Sequence, residues 1–316
     1  MSTTPALNPG LVVASHGRHC VVETPAGERV ICHPRGKKLA VVVGDRVRWQ
    51  PSQDEGTIER IDARRNLLYR QDEVRIKSFA ANLDQVLILV AAEPEFSEHQ
   101  LARALIACEA EHIDPLIVLN KADLTAPFAH AWQRLAPYRA MGYAVLPLAA
   151  KPRSVVEAAT GAGSGDDAVQ ALRTRLAGRT TLILGPSGAG KSTLINRLVP
   201  GAQAQTGEIS QALNTGKHTT TTTRWYWMDE RRDSALIDSP GFQEFGLRHI
   251  DPMQLAAYMP DIKPHVAECR FYNCTHQHEP GCGVMAACKP ADSASAIGPS
   301  RYRIYSDLFQ ELNARG

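Results

Sequence analysis

The sequence predicts an α/β domain built on a largely parallel sheet, flanked by an N-terminal all-β barrel and a C-terminal, mainly α region. Three observations carry this reading. Residues 1–68 contain short β-branched runs cut by Gly, Pro and Asp. Residues 69–247 alternate near-continuous apolar runs with stretches of helical spacing, the pattern of strands covered on both faces by helices. Residues 248–316 lose the strand pattern and gather Cys269, Cys274, Cys282 and Cys288 beside His276 and His278.

Composition supports a globular chain of more than one domain. Of 316 residues, 44% are hydrophobic and 22% charged. No apolar run reaches the ~20 residues of a membrane span. The opening stretch "MSTTPALNPG" has neither a basic nor an apolar segment of a secretory signal, so a cytoplasmic location without membrane contact is expected. Net charge is only +2. Any nucleic-acid contact must therefore come from local patches.

Five runs justify the barrel: "GLVVASHG", "HCVVETPAG", "ERVICHP", "DRVRWQP" and "GTIERIDAR". Short strands at this spacing fit an OB-fold. The loop "HPRGKKLA" carries Arg35, Lys37 and Lys38, with Gly36 permitting a tight turn. Residues 1–68 hold ten Lys/Arg against seven Asp/Glu, a mild excess consistent with RNA contact.

In the middle region, "LDQVLILVAA", "IDPLIVLNKAD", "YAVLPLAA", "TTLILG" and "SALIDSPG" read as strands, and "HQLARALIACEAEH" as a helix. "TGAGSGDD", residues 160–167, reads as a flexible joint. "GPSGAGKS" matches the phosphate-loop pattern between a strand and a helix. Its members Gly185, Pro186, Ser187, Gly188, Ala189, Gly190, Lys191 and Ser192, with Thr193 behind them, wrap backbone N–H groups around phosphates at a helix N-terminus. Lys191 adds a charge near the β and γ phosphates, and the Ser192 hydroxyl is placed to ligate Mg²⁺.

"NKAD" supplies Asn120, Lys121 and Asp123. The Asp123 carboxylate can accept from guanine N1 and N2, a pair of donors that adenine lacks, and so selects GTP over ATP. "LAAK", residues 148–151, follows the next strand where a Ser-Ala-Lys loop meets the base, with Ala149 in place of the usual Ser. In "DSPG", Asp238 would hold Mg²⁺ through water and the Gly241 amide would sense the γ-phosphate. "GKHTTTTTR" between these motifs reads as switch I, with Thr219 or, by preference, Thr220 on Mg²⁺. Phe242 stands where many GTPases orient water with Gln; His218 is the candidate group for that task. Gly188 replaces an Asn used by potassium-dependent GTPases, and no potassium cofactor is inferred.

The base-reading motif thus precedes the phosphate loop, the reverse of an ordinary GTPase. A circular permutation of the same sheet keeps the site intact. It also places switch II directly ahead of residues 248 onward, on which a shift at Gly241 can pull. There, Cys269, Cys274, His276 and Cys282 offer three thiolates and an imidazole for one structural Zn²⁺, with His278 or Cys288 able to replace a ligand.

Taken together these motifs resemble the RsgA/YjeQ family of circularly permuted GTPases that depend on the small ribosomal subunit. "HPRGKK", "VVGDRVRW", "NKAD", "GPSGAGKS", "GKHTTT", "DSPGFQEFGL", the Cys-Cys-His-Cys set and "RYRIYSDL" carry the resemblance across almost the whole chain. It implies an OB-fold (1–68), a permuted GTPase domain (69–247) and a zinc domain (248–316). It further implies GTP hydrolysis stimulated by the 30S subunit during late maturation, with hydrolysis serving as a release switch. The expected partners are that subunit, its 16S rRNA and GTP/GDP, and the expected state is a monomer. Two other readings stand beside it: an RNA-binding scaffold with an idle nucleotide site, and a permuted GTPase acting on the large subunit.

Overall fold

The computed structural model describes residues 7–16, 19–36, 39–52, 55–71, 76–151, 165–202, 223–239, 242, 245–288 and 297–314. Strands β1 (Asn8–His16), β2 (His19–Glu23), β3 (Arg29–Pro34), β4 (Arg46–Ser52) and β5 (Glu55–Ile61) form the barrel. Their order β1-β2-β3-β5-β4 closes because β4 pairs back onto β1. Val12, Val22, Val47, Trp49 and Ile58 alternate inward with Cys20 and Cys32, and make a core of the barrel's own. Asp45 is fully buried, and the Arg64 guanidinium holds its carboxylate with two bonds of 2.7 and 2.8 Å.

A hairpin follows, β6 (Leu67–Gln71) and β7 (Ile76–Ala81). It is locked to the barrel: the Ala81 amide donates to Val43 O, and Asn82 Nδ2 to Gly44 O, each at 2.9 Å. Gly44 has φ 91°, and a Cβ there would meet Ala81 O at 2.2 Å. Only glycine permits this approach.

The central sheet uses β8 (Gln85–Ala91), β9 (Asp114–Asn120), β10 (Ala144–Pro147), β11 (Thr180–Leu184), β12 (Arg224–Trp227) and β13 (Ala235–Asp238). Its order is β10-β9-β8-β11-β13-β12, parallel except for β12. Along β8, Val86, Ile88 and Val90 face one core, and Leu87, Leu89 and Ala91 face the other. Helix α1 (Glu98–Ala110) packs on the first face, with α2 (Thr125–Arg134) and α3 (Ala136–Ala140) beside it. Helices α4 (Gly165–Leu176) and α5 (Lys191–Leu198) cover the second.

One expectation changes here. Gly165–Asp167 begin α4 instead of a joint, since acidic side chains suit the positive end of a helix; residues 160–164 lie outside the described residues. The barrel is not separate from the sheet. Ala14 of β1 pairs with Arg224 of β12, so eleven strands run on continuously. Glu23, nearly buried, fastens this seam: it accepts from Trp227 Nε1 at 2.7 Å and Arg29 Nε at 3.0 Å, and lies 3.5 Å from Arg232.

No strand occurs in 248–316 among the described residues. A 3₁₀ helix (Pro252–Tyr258) and α8 (Pro299–Asn313) pack against α1 and share its core, to which Val284 of α7 (Gly283–Ala287) also belongs, whereas α6 (Lys263–Val266) buries no side chain and lies against the 3₁₀ helix and α7. The chain does not run free from switch II into this region. The Gln71 amide donates to Gly246 O at 3.0 Å, the Arg248 amide returns a bond to Gln71 O at 3.1 Å, and Arg103 of α1 reaches both Phe245 O and Glu311 of α8. Residues 245–248 are thus clasped to β6 and α1 ahead of the 3₁₀ helix. No described helix is long and apolar enough to cross a membrane.

Candidate nucleotide site and metal centre

The phosphate loop leaves β11 at Gly185 and enters α5 through Gly190. Two close contacts shape it. A Cβ on Gly185 would meet Leu89 O at 2.4 Å, and one on Gly190, whose φ is 98°, would meet Asn120 Nδ2 at 2.4 Å. Backbone alone fits at these two positions, and the turn Pro186–Ala189 closes with the Ala189 amide donating to Pro186 O at 3.3 Å. Lys191 Nζ donates to Gly185 O at 2.6 Å and Pro186 O at 3.3 Å, within the field of Asp238. Burial lowers the Lys191 pKa and raises that of Asp238, while each charge favours the other. Ser192 and Thr193 open α5. The buried Asp238 carboxylate at the end of β13 and the Ser192 hydroxyl at the start of α5 are hard oxygen donors, the kind Mg²⁺ takes.

Asn120 ends β9 and binds both halves of the site. Its Nδ2 donates to Ala189 O at 2.8 Å, and its Oδ1 accepts from the Ala150 amide at 2.9 Å. The phosphate loop and the loop of Ala149 are thereby tied through one side chain. Lys121 takes a positive φ of 66°, and Asp123 is exposed beyond it. Arg197 of α5 donates to Ala149 O and Ala150 O at 3.4 and 3.3 Å. His218, Thr219, Thr220 and Gly241 lie outside the described residues, as do Lys37 and Lys38. Arg35 is exposed and pairs with Glu59. Phe242 is turned away from solvent, 4% exposed and 6.5 Å from the Phe245 ring, so it serves the core.

In the C-terminal region the ligand atoms of Cys269, Cys274, His276 and Cys282 all lie within 4.8 Å of one another. His276 Nδ1 is 3.4 Å from both Cys269 Sγ and Cys282 Sγ. Burial pushes the Cys274 thiol up to about 12 and lowers His276, which keeps the imidazole neutral. Three soft thiolates and an imidazole converging in a largely buried place fit a tetrahedral metal ion, whose charge would stabilise the thiolates. Cys288 turns instead to Val284 O at 3.2 Å, and His278 is exposed, so neither joins the set.

A family model described as RsgA GTPase matches residues 61–248. The chain belongs to this family. The Small ribosomal subunit biogenesis GTPase RsgA of Variovorax paradoxus (strain S110) is 67% identical over 307 residues, covering 97% of this chain and 93% of the relative. The protein of the same name from Burkholderia pseudomallei (strain K96243) is 52% identical, covering 96% and 92%. The crystal structure of YjeQ from Thermotoga maritima superposes with a TM-score of 0.72 at 29% identity, covering 98% of this chain and all of that one. That of YloQ, a circularly permuted GTPase, gives 0.68 at 23% identity, covering 100% and 98%, and shows the shared fold. The central domain is a P-loop GTPase domain in permuted order, and membership in the family makes the chain a GTPase that works with Mg²⁺.

Two positioning residues escaped the sequence reading. Glu279 accepts from the Thr275 amide and hydroxyl at 2.9 and 2.5 Å and from the amides of Gln277 and His278 at 3.2 Å, fixing the ligand loop from behind. Its signal was a lone acid inside a Cys/His run. Arg197 had a fainter one, a cation on the helix that follows the phosphate loop.

Proposed function

We propose that this chain binds the small ribosomal subunit through its 16S rRNA and uses GTP hydrolysis as a release switch in late maturation, as a cytoplasmic monomer. The relatives' names supply the subunit. The Asn120 bridge between Ala189 O and Ala150 N supports the nucleotide site most directly, because it gives one side chain control of both the phosphate and the base loops.

In this reading Asp123 accepts from guanine, and Ala149 backs the base. Gly185 to Thr193 cradle the phosphates. Lys191 leaves the two carbonyls it now holds and turns to the γ-phosphate. Bound Mg²⁺ neutralises phosphate charge. Ser192 and Thr220 would ligate it directly and Asp238 through water. Gly241 senses the γ-phosphate, and His218 orients the attacking water. Cys269, Cys274, His276 and Cys282 hold one structural Zn²⁺.

GTP turnover measured alone, with purified 30S and with purified 50S tests the proposal. Slow basal turnover and a strong increase with 30S are expected. Equal rates in all three would overturn it, and stimulation by 50S alone would reassign the partner.

A further inference from the structure

Between Cys269 and Cys274 the chain makes a four-residue tip, Arg270–Phe271–Tyr272–Asn273. Its base is fixed. The Arg270 amide donates to Gly281 O at 3.0 Å, and the Cys274 amide to Phe271 O at 3.3 Å. Glu279 holds the turn behind it, as described above. The apex faces water: Tyr272 is 102% exposed and Phe271 41%. Among the described residues no other large apolar or aromatic side chain is as exposed as Tyr272. The Arg270 guanidinium lies 5.5 Å from the centre of the Phe271 ring.

Neither ring contributes to a core, so folding does not account for them. We propose that Phe271 and Tyr272 are stacking platforms for unpaired nucleobases of the small-subunit RNA. This inference rests on the functional reading above and adds the residues that make the contact. Aromatic faces stack on any base without reading its edge. A tip already fixed by backbone bonds loses little freedom on binding. Charge decides between RNA and a protein pocket. From Cys269 to His278 there is no acidic residue and Arg270 is the one permanent charge, while the exposed Glu268 just before this stretch pairs with His265 at 3.5 Å. The first acid beyond, Glu279, is turned inward onto Thr275, Gln277 and His278. A guanidinium lying over a ring keeps N–H groups at its edge for phosphate.

Co-sedimentation of the full chain with purified 30S, with a non-hydrolysable GTP analogue at fixed salt, is the test. Tyr272→Ala and Phe271→Ala should each weaken association roughly tenfold. Tyr272→Phe and Tyr272→Trp should bind as wild type, because the ring and not the hydroxyl makes the contact. Metal content and GTP affinity should be unchanged in all four, which separates contact from folding. Ultraviolet cross-linking should place a nucleotide adduct on the peptide spanning residues 270–274. Wild-type binding by Tyr272→Ala, equal weakening by Tyr272→Phe, or a cross-link from the tip to a ribosomal protein would each overturn the inference. Failure of the wild-type chain to pellet with 30S would instead overturn the functional reading, and the inference with it.

Discussion

In the barrel, Cys20 and Cys32 sit opposite each other on β2 and β3, and both are packing residues. Burial pushes Cys32 up to about 11, so its thiol stays neutral and inert. In the C-terminal region, Cys269, Cys274 and Cys282 converge with His276. The same residue type does two jobs because the two regions are held in different ways. The barrel closes a hydrogen-bond ladder on itself and owns its core. The C-terminal region lacks a ladder among the described residues, and its buried side chains belong to the core of α1 and the sheet. One flank is self-sufficient; the other borrows a core and is tied together by polar chemistry.

Metal removal breaks this comparison most sharply. Structural zinc in small sites supplies about 10–16 kcal/mol of apparent binding free energy, which is folding free energy. A strong chelator, or Cys274→Ser, is expected to release one zinc per chain by elemental analysis. Amide exchange should then rise in residues 248–288 and stay unchanged in β1–β5. Zinc retained in Cys274→Ser, or equal loosening of the barrel, would contradict the assignment.

Buried ion pairs come next. Arg301 of α8, almost fully buried, binds Asp261 with bonds of 2.8 and 3.1 Å and lies 5.1 Å from the Tyr138 ring. Arg301→Leu strands that carboxylate and should cost about 3–5 kcal/mol, felt in α8 and the 3₁₀ helix. Arg64→Leu leaves the buried Asp45 carboxylate with the Val42 amide alone, at 2.9 Å, and should cost about 3 kcal/mol, felt in the barrel and insensitive to chelator. Urea unfolding followed by regional exchange separates the two. A chelator-dependent Arg64→Leu would blur the distinction between the flanks.

The sheet between them gives a smaller, functional effect. Asp123 is exposed and contributes nothing to either core. Asp123→Asn should weaken GTP binding by about 3 kcal/mol, improve xanthosine triphosphate binding, and leave unfolding unchanged. Calorimetric titration checks this, and ATP binding as tight as GTP binding in wild type would refute the guanine role.

The smallest effect concerns Asp238. Burial raises its folded pKa above the unfolded value, against the opposing pull of Lys191 and Arg224. The folded state therefore holds its proton more tightly, and stability from this group falls as pH rises through the raised pKa. Without nucleotide, Asp238→Asn should be more stable than wild type near neutral pH, with the gap closing below the ordinary carboxylate range. A constant gap across pH would show that ionisation is not the cause.

Ten strands were legible because each is a short apolar or alternating run, and the phosphate loop because its glycines answer to steric limits that the structure displays at Gly185 and Gly190; β6, β7 and β12, polar or aromatic runs beside loops, were not read as strands. The convergence of Cys269, Cys274, His276 and Cys282 was legible from donor chemistry, although their spacing is unusual. Long-range partners were hidden. Nothing local in "NKAD" says that Asn120 turns to Ala189 and Ala150. Nothing in "LLYRQ" says that Gln71 clasps Gly246 and Arg248. The Ala14–Arg224 pair joins residues more than two hundred positions apart, and strand propensity carries no address. Asp166 and Asp167 were misplaced because a Gly/Ser-rich approach masks a helix start.

That pair has a further consequence for any shortened form of the chain. A sheet edge left unpaired is a template for other strands. Here β1 of the barrel meets the side of β12 that β13 does not at one pair, Ala14 with Arg224, and Glu23 of β2 holds the Trp227 indole of that strand. The barrel is thus a plug as well as a domain. Cutting it away frees the β12 backbone at Arg224 and the Trp227 indole together, and self-association of the shortened chain is the expected outcome. An RNA-contact role for the barrel is therefore read more cleanly from point changes such as Arg35→Ala, which leave the plug in place.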